Sequence, residues 1–264
     1  MVVTRRAELV ATSRADELAL RALADVARIT EGEDARIVGG QMASLLLTAF
    51  PVPDVQPRRT RDADTAITTE LAGSGVIHDR LLERGYVATA GNSYARPVPE
   101  LAIPGQPVPR LEADLLVPSR DSRFRAETHG GRRFDAVPGL RLALAAPPIE
   151  ISAAATFLDG SVDEFVVLVP PVEIAIVVKA HAWASRHQPR DVEDLYRLLE
   201  IVEAYSSEEI GGWALASGDL VGARGDAAAA LWTLTRQVRR LSDVDVPVAR
   251  LAALIAAHVW RRGA

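Results

Sequence analysis

The run Thr60-Arg61-Asp62-Ala63-Asp64-Thr65-Ala66-Ile67 narrows the possible folds of this chain more than any other stretch. Its small and apolar residues read as a strand, and a strand's period of two puts Asp62 and Asp64 on one face. Two carboxylates held side by side repel each other unless a cation sits between them. A hard divalent ion such as Mg2+ is the expected one, and it usually brings a phosphate with it. Upstream, Arg36-Ile37-Val38-Gly39-Gly40-Gln41-Met42 reads as a short strand running into two glycines. With no Cβ at either glycine, backbone there can come close to a phosphate.

A third carboxylate, Asp114, lies in the apolar strand pattern Leu111-Glu112-Ala113-Asp114-Leu115-Leu116-Val117. A lone carboxylate in such a setting is costly unless paired or ligating. Asp62, Asp64 and Asp114 together would hold one or two Mg2+ ions bridging a triphosphate, and one of them could take a proton from an attacking hydroxyl. Lysine and arginine total 30, yet Lys179 is the only lysine. A chain that uses arginine nearly everywhere and keeps one lysine marks that position as a candidate phosphate ligand. Arg186 follows two helical turns later on the same face and can act beside it. Asp191 and Asp194 share a face of the next helix. One of them could orient Lys179, and Asp191 could equally cap the helix it opens.

The pattern along the chain is α+β: a mixed sheet flanked by helices, then an all-helical C-terminal region. Residues 5–29 read as one or two helices, 41–50 as a helix stopped by Pro51 and Pro53, and 73–84 as a helix ending at Gly85. Strands are expected at 36–38, 62–68, 111–117, 140–146 and 165–169, with a hairpin at 86–89 and 93–96. Residues 118–139 read as a basic, glycine-containing segment. After Pro170-Pro171 the expected helices are roughly 172–187, 191–205, 207–216, 226–241 and 247–261. The division expected is an α/β domain over 1–170 and a helical domain over 171–264 that completes the active site.

In this order, Gly39-Gly40-Gln41-Met42, Thr60-Arg61-Asp62-Ala63-Asp64, Lys179 with Arg186, and Arg190-Asp191-Val192-Glu193-Asp194-Leu195-Tyr196 resemble the AbiEii-type nucleotidyltransferases. That group includes the MenT-like toxins of toxin–antitoxin pairs, within the DNA polymerase beta-like superfamily. The resemblance covers roughly residues 30–200. It implies Mg2+-dependent transfer of a nucleotide from an NTP to an acceptor, which for the MenT-like branch is the 3′ end of tRNA, and a cognate antitoxin as partner. By position, Gly39 and Gly40 would hold the triphosphate, with Thr60, Arg61 and Arg186 as further substrate-binding candidates. Asp62 and Asp64 would bind metal, Lys179 would bind phosphate, and Asp191 or Asp194 would complete the site. The superfamily often has Gly-Ser where this chain has Gly39-Gly40, and the stretch from Gly40 to Asp62 is longer than usual.

A net charge of −5 argues against general coating of nucleic acid but not against a local basic groove. Three arginine clusters are candidate RNA contacts: Arg58, Arg59 and Arg61; Arg120, Arg123, Arg125, Arg132, Arg133 and Arg141; and Arg236, Arg239 and Arg240. There is no cysteine, which excludes disulfides and thiolate metal sites. No apolar run reaches the length of a membrane span, and the N-terminus shows no apolar signal core, so a cytoplasmic location is expected. Two competing readings keep the same residues: transfer to a protein or small-molecule acceptor, and a non-catalytic NTP- or partner-binding module.

Overall fold

The first segment departs from the helical expectation. In the computed structural model, which describes residues 2–58, 60–121, 123–238 and 244–261, Val3–Val10 is a strand (β1) and only Arg14–Ile29 is a helix (α1). β1 is a strand because it has a partner far along the chain: it pairs in parallel with Ile149–Thr156 (β9), from Val3 opposite Ile149 to Val10 opposite Thr156. Ser13 caps α1, its hydroxyl accepting from the Asp16 N–H at 3.2 Å.

The glycine pair opens a helix. Ala35–Ile37 (β2) leads through Val38 into Gly39–Ala49 (α2), so Gly39 and Gly40 form the first turn of α2. Asp62–Ile67 is the expected strand (β3). The helix expected over 73–84 is two short helices, Thr69–Ser74 (α3) and Val76–Glu83 (α4), broken where Gly75 takes φ +83°. The hairpin is Val87–Ala90 (β4) and Ser93–Pro97 (β5), followed by the long strand Arg110–Pro118 (β6).

The basic segment is a second hairpin, Arg125–His129 (β7) and Arg132–Val137 (β8), turning at Gly130-Gly131. The strand expected over 140–146 is instead a helix, Leu140–Ala145 (α5). Its leucines and alanines are strong helix formers, and it lies against α6. β9 and Val162–Val169 (β10) close the α/β part. Then come Val172–Arg186 (α6), Pro189–Ala204 (α7), Gly222–Gln237 (α8) and Val248–His258 (α9). Residues 207–211 form turns rather than a helix. The end of the helix expected over 226–241 lies outside the described residues.

Two sheets result, and the fold is α+β. The smaller runs β1-β9-β10, and the larger runs β2-β3-β6-β5-β4, with β8 joining β6 and β7 joining β8. β3 and β6 are parallel neighbours at the centre of the larger sheet. On its other side β6 pairs with β5 up to Asp114, and with β8 from Leu116 onward. That change of neighbour leaves an opening beside Asp114. One apolar core runs from α1 and α2 through the sheet to α6, α7 and α9. Among the described residues, no helix is long and apolar enough to cross a membrane.

Candidate functional site

The sheet register brings the three carboxylates together. Asp64 lies directly across from Asp114 on β3 and β6, and Asp62 sits two residues back on the same face as Asp64. One oxygen from each lies within 4.8 Å of the others, and all three side chains are partly buried. Burial, then repulsion from Asp62 and Asp114, pushes the Asp64 carboxyl up to about 7, against the pull of Lys179 and Arg186. Burial also lifts Asp114, opposed by the Ser93 hydroxyl that hydrogen-bonds it from β5. Three hard oxygen donors that repel one another in this way fit a divalent cation such as Mg2+.

The start of α2 faces the same space. Its N-terminus carries no side-chain cap and no acidic residue in the first turn, so the positive end of the helix is open to an anion. The two glycines are demanded by close approach. Gly39 has φ +69°, and a Cβ there would land on Asp64 Oδ2, 2.7 Å from Cγ. A Cβ on Gly40 would land on Arg58 Nη2, 2.9 Å from Thr60 Oγ1.

The cations come mainly from the helical part. Lys179, on α6, is 2% exposed and sits with its Nζ 2.6 Å from Asp194 Oδ2 and 3.6 Å from Asp191 Oδ1. Arg186, at the end of α6, donates from Nε and Nη2 to the two oxygens of Asp191, each at 2.7 Å. Arg58 donates from Nε and Nη2 to Asp194 at 3.0 and 3.1 Å. The result is an alternating row, Arg58–Asp194–Lys179–Asp191–Arg186, in which both carboxylates are fully buried. Burial alone would raise the Asp194 carboxyl, but Lys179 and Arg58 outweigh it and hold it below the ordinary carboxylate value. The row depends on a tight turn between α6 and α7, where His187 adopts φ +50° before Pro189 starts α7.

Trio, helix terminus and cationic row surround one cleft of about 590 Å3. Gly39, Gly40, Thr60, Asp62, Asp64, Asp114, Lys179 and Arg186 all line it. Asp191 and Asp194 do not; they stand behind the wall and hold its cations. Asp191 is not a side-chain cap either, since its carboxylate is taken by Arg186 and Lys179. Arg61 is exposed and outside the lining.

Several lining residues fall outside the sequence-derived site: Arg58, Ser93, Phe124, Arg125, Arg133, Asp135 and Arg190. The alternation Arg133-Phe134-Asp135, with only Phe134 buried, is a strand signal that could have placed Arg133 and Asp135 on one face. Arg58 turns inward to Asp194 rather than outward. Of the second arginine cluster, Arg125 and Arg133 reach the cleft, while Arg132 lies over the Phe134 ring. Arg59, Arg239 and Arg240 lie outside the described residues, and Arg236 is on α8, away from the cleft.

No protein-family model and no curated protein matches the chain. Among solved structures it is similar to an antigenic nucleotidyltransferase-like protein from Paracoccidioides brasiliensis. The identity is 16% over 93% of this chain and 95% of that one, with a TM-score of 0.48. At that level of likeness, function has to be read from the site itself.

Proposed function

We propose that the cleft is the active site of an NTP-dependent nucleotidyltransferase that uses Mg2+ and delivers the nucleotide to an RNA hydroxyl, the 3′ end of tRNA. The observation that carries this reading is the carboxylate trio facing an uncapped helix N-terminus and a row of cations. Charge supports it. Arg58, Arg133, Lys179, Arg186 and Arg190 line the cleft together with Asp62, Asp64, Asp114 and Asp135, while Arg125 on the same wall is paired with Asp121 and Glu127. A divalent cation on the carboxylates would leave the cationic wall to face the phosphates of a nucleoside triphosphate.

Asp62, Asp64 and Asp114 would hold the metal, which when bound polarises the α-phosphorus and neutralises the departing pyrophosphate. The N–H groups at Gly39 and Gly40, with Thr60, receive the phosphates. Lys179 and Arg186 stabilise the charge that builds on the leaving group. In the transfer, the acceptor oxygen bonds to the α-phosphorus and the bond to the pyrophosphate oxygen breaks. The hydroxyl proton passes to a carboxylate of the trio, and pyrophosphate leaves with the electron pair. Arg125, Arg133 and Phe124 at the outer wall suit an RNA end, through phosphate contacts and one stacked base. The toxin role and a cognate antitoxin rest on the sequence resemblance alone.

The test is incubation of the purified chain with Mg2+ and each labelled NTP, separately with total tRNA, total protein and small metabolites, beside an Asp64→Ala control. Label in tRNA with the wild type only is the expected result. Label confined to protein or metabolites reassigns the acceptor, and no label in any pool overturns the transferase reading. Growth arrest on expression, absent for Asp64→Ala, is the expected sign of a toxin.

A further inference from the structure

Asp135 is a carboxylate of the cleft that nothing in the fold holds. It is exposed, it lines the cleft beside the trio, and among the described residues it makes no hydrogen bond or ion pair. Strand register fixes where it stands. On β8 it lies across from Leu116 of β6, and Leu116 is two residues beyond Asp114 on the same face. Asp135 therefore faces the cleft diagonally from Asp114. It is close enough that its charge, after burial and together with that of Asp62, lifts the Asp114 carboxyl. It is not a fourth member of the trio, because only Asp62, Asp64 and Asp114 bring oxygens within 4.8 Å of one another. An ionised carboxylate can only accept hydrogen bonds, so the group it fits is a donor on a bound molecule.

The two ends of the trio show which molecule. Thr60, two residues before Asp62, lies against Gly40 in the first turn of α2, where the phosphates are received. Leu116 and Asp135 lie two residues past Asp114, beyond the other end of the trio. In-line displacement sets the attacking oxygen opposite the leaving pyrophosphate oxygen, across the α-phosphorus. With pyrophosphate toward Gly40 and Thr60, the acceptor enters past Asp135. Resting on the reading above of transfer to RNA, we infer that Asp135 is a specificity residue for the acceptor. Its carboxylate takes a hydrogen bond from the 2′-hydroxyl of the terminal ribose while the neighbouring 3′-hydroxyl attacks, so the acceptor is an RNA end with an intact vicinal diol. Arg133 is two residues back on the same face, about 7 Å along the strand. It too lines the cleft without a hydrogen bond or ion pair among the described residues, and it meets the phosphate that joins that ribose to the chain.

The test measures kcat/KM of the full-length chain, with Mg2+ and its preferred labelled NTP, on one tRNA prepared with a terminal ribose or a terminal 2′-deoxyribose. The wild type should favour the ribose end at least tenfold. In Asp135→Ala that preference should fall below about threefold, with transfer to the ribose end lowered about 10- to 100-fold, the range for one lost hydrogen bond to a charged group. Asp135→Asn, which keeps an acceptor oxygen without the charge, should lie between the two. Both variants should melt with the wild type and keep Mn2+ affinity, read by electron paramagnetic resonance, within about threefold. Equal loss on both ends, a tenfold loss of Mn2+ affinity, or a preference unchanged in both variants would each overturn the inference while leaving the transferase reading in place. So would a wild type that labels both ends equally. A variant that relaxes the choice between NTP and 2′-deoxy-NTP instead would put the donor's ribose at Asp135 and overturn it as well. A wild type that labels neither end overturns transfer to RNA and the inference together.

Discussion

The Gly39→Ala substitution adds one carbon to the protein and tests the whole site. At φ +69° an alanine is strained, which costs about 1–2 kcal/mol for an L-residue in the left-handed region. For a chain of this size that is a fall in melting temperature of roughly 2–8 °C. The larger consequence is local. The new Cβ would stand 2.7 Å from Asp64 Cγ and 2.9 Å from its Cβ, so the carboxylate must swing out of the trio. Loss of an outer partner alone typically weakens a metal site 10- to 100-fold, and displacing a ligand should cost at least as much. Gly40→Ala is the matched control. Its Cβ meets the Arg58 guanidinium and the Thr60 side chain rather than a carboxylate of the trio. Its backbone is helical, so alanine carries no left-handed strain there, and the crowding falls on Arg58 and Thr60 instead of on Asp64. We expect Gly39→Ala to lose Mn2+ affinity, read by electron paramagnetic resonance, at least 30-fold, and Gly40→Ala to keep it within threefold. Gly39→Ala protein that binds Mn2+ like the wild type would refute the claim that this glycine exists to admit the Asp64 carboxylate.

Four further outcomes follow from the same geometry. Asp64→Asn should raise the melting temperature of metal-free protein, because it relieves the repulsion within the trio, while abolishing the gain in melting temperature that Mg2+ gives the wild type. The Asp64 carboxyl titrates near 7 in the folded chain against an ordinary value of 3.8. Its stabilising contribution is therefore full below about 4 and lost as pH rises toward 7. The difference in stability between metal-free wild type and Asp64→Asn, followed by denaturant titration, should move against the wild type across that window, and a flat difference would contradict the assignment. Asp194→Ala should cost about 3–5 kcal/mol by urea unfolding, since it strips the 2%-exposed Lys179 of its nearest carboxylate. Lys179→Ala should cost less, because Arg58 still holds Asp194 and Arg186 still holds Asp191, yet it should remove nucleotide transfer; a variant that transfers at the wild-type rate would exclude Lys179 from the chemistry.

Local chemistry was easy to read in this sequence where it is written in adjacent residues. The period-two spacing of Asp62 and Asp64, the glycine pair, and the two helices that follow Pro171 all depend on neighbours in the chain, and the structure places them accordingly, whereas the helix expected over 207–216 begins as turns. What stayed hidden is set by distant partners. Ile149–Thr156 contains Ser-Ala-Ala-Ala, a helix-friendly run that becomes a strand only because β1 and β10 flank it. β1 is a strand for the same reason. Arg58 read as part of a surface cluster because the residue that draws it inward, Asp194, lies 136 positions away. Asp191 and Asp194 were legible as a pair on one helix face. That they stand behind the cleft rather than in it depends on the turn at His187, which spacing does not reveal.

The order in which the site's parts occur along the chain has a consequence for synthesis. The carboxylate trio is complete once Asp114 has been made, but the cations that answer it come roughly 65 to 80 residues later, at Lys179 and Arg186, with Asp194 last. At about 5–20 residues per second that is an interval of several seconds. Through it, the acidic half exists without the cations of α6, and β1 waits as well, since its partner β9 ends only at Thr156. A nascent or prematurely ended chain that stops short of α7 has its acidic trio but lacks the carboxylates that hold Lys179, Arg186 and Arg58 in the cleft wall. Assembly of this site is thus a late event on the ribosome, and the fold withholds it from incomplete products.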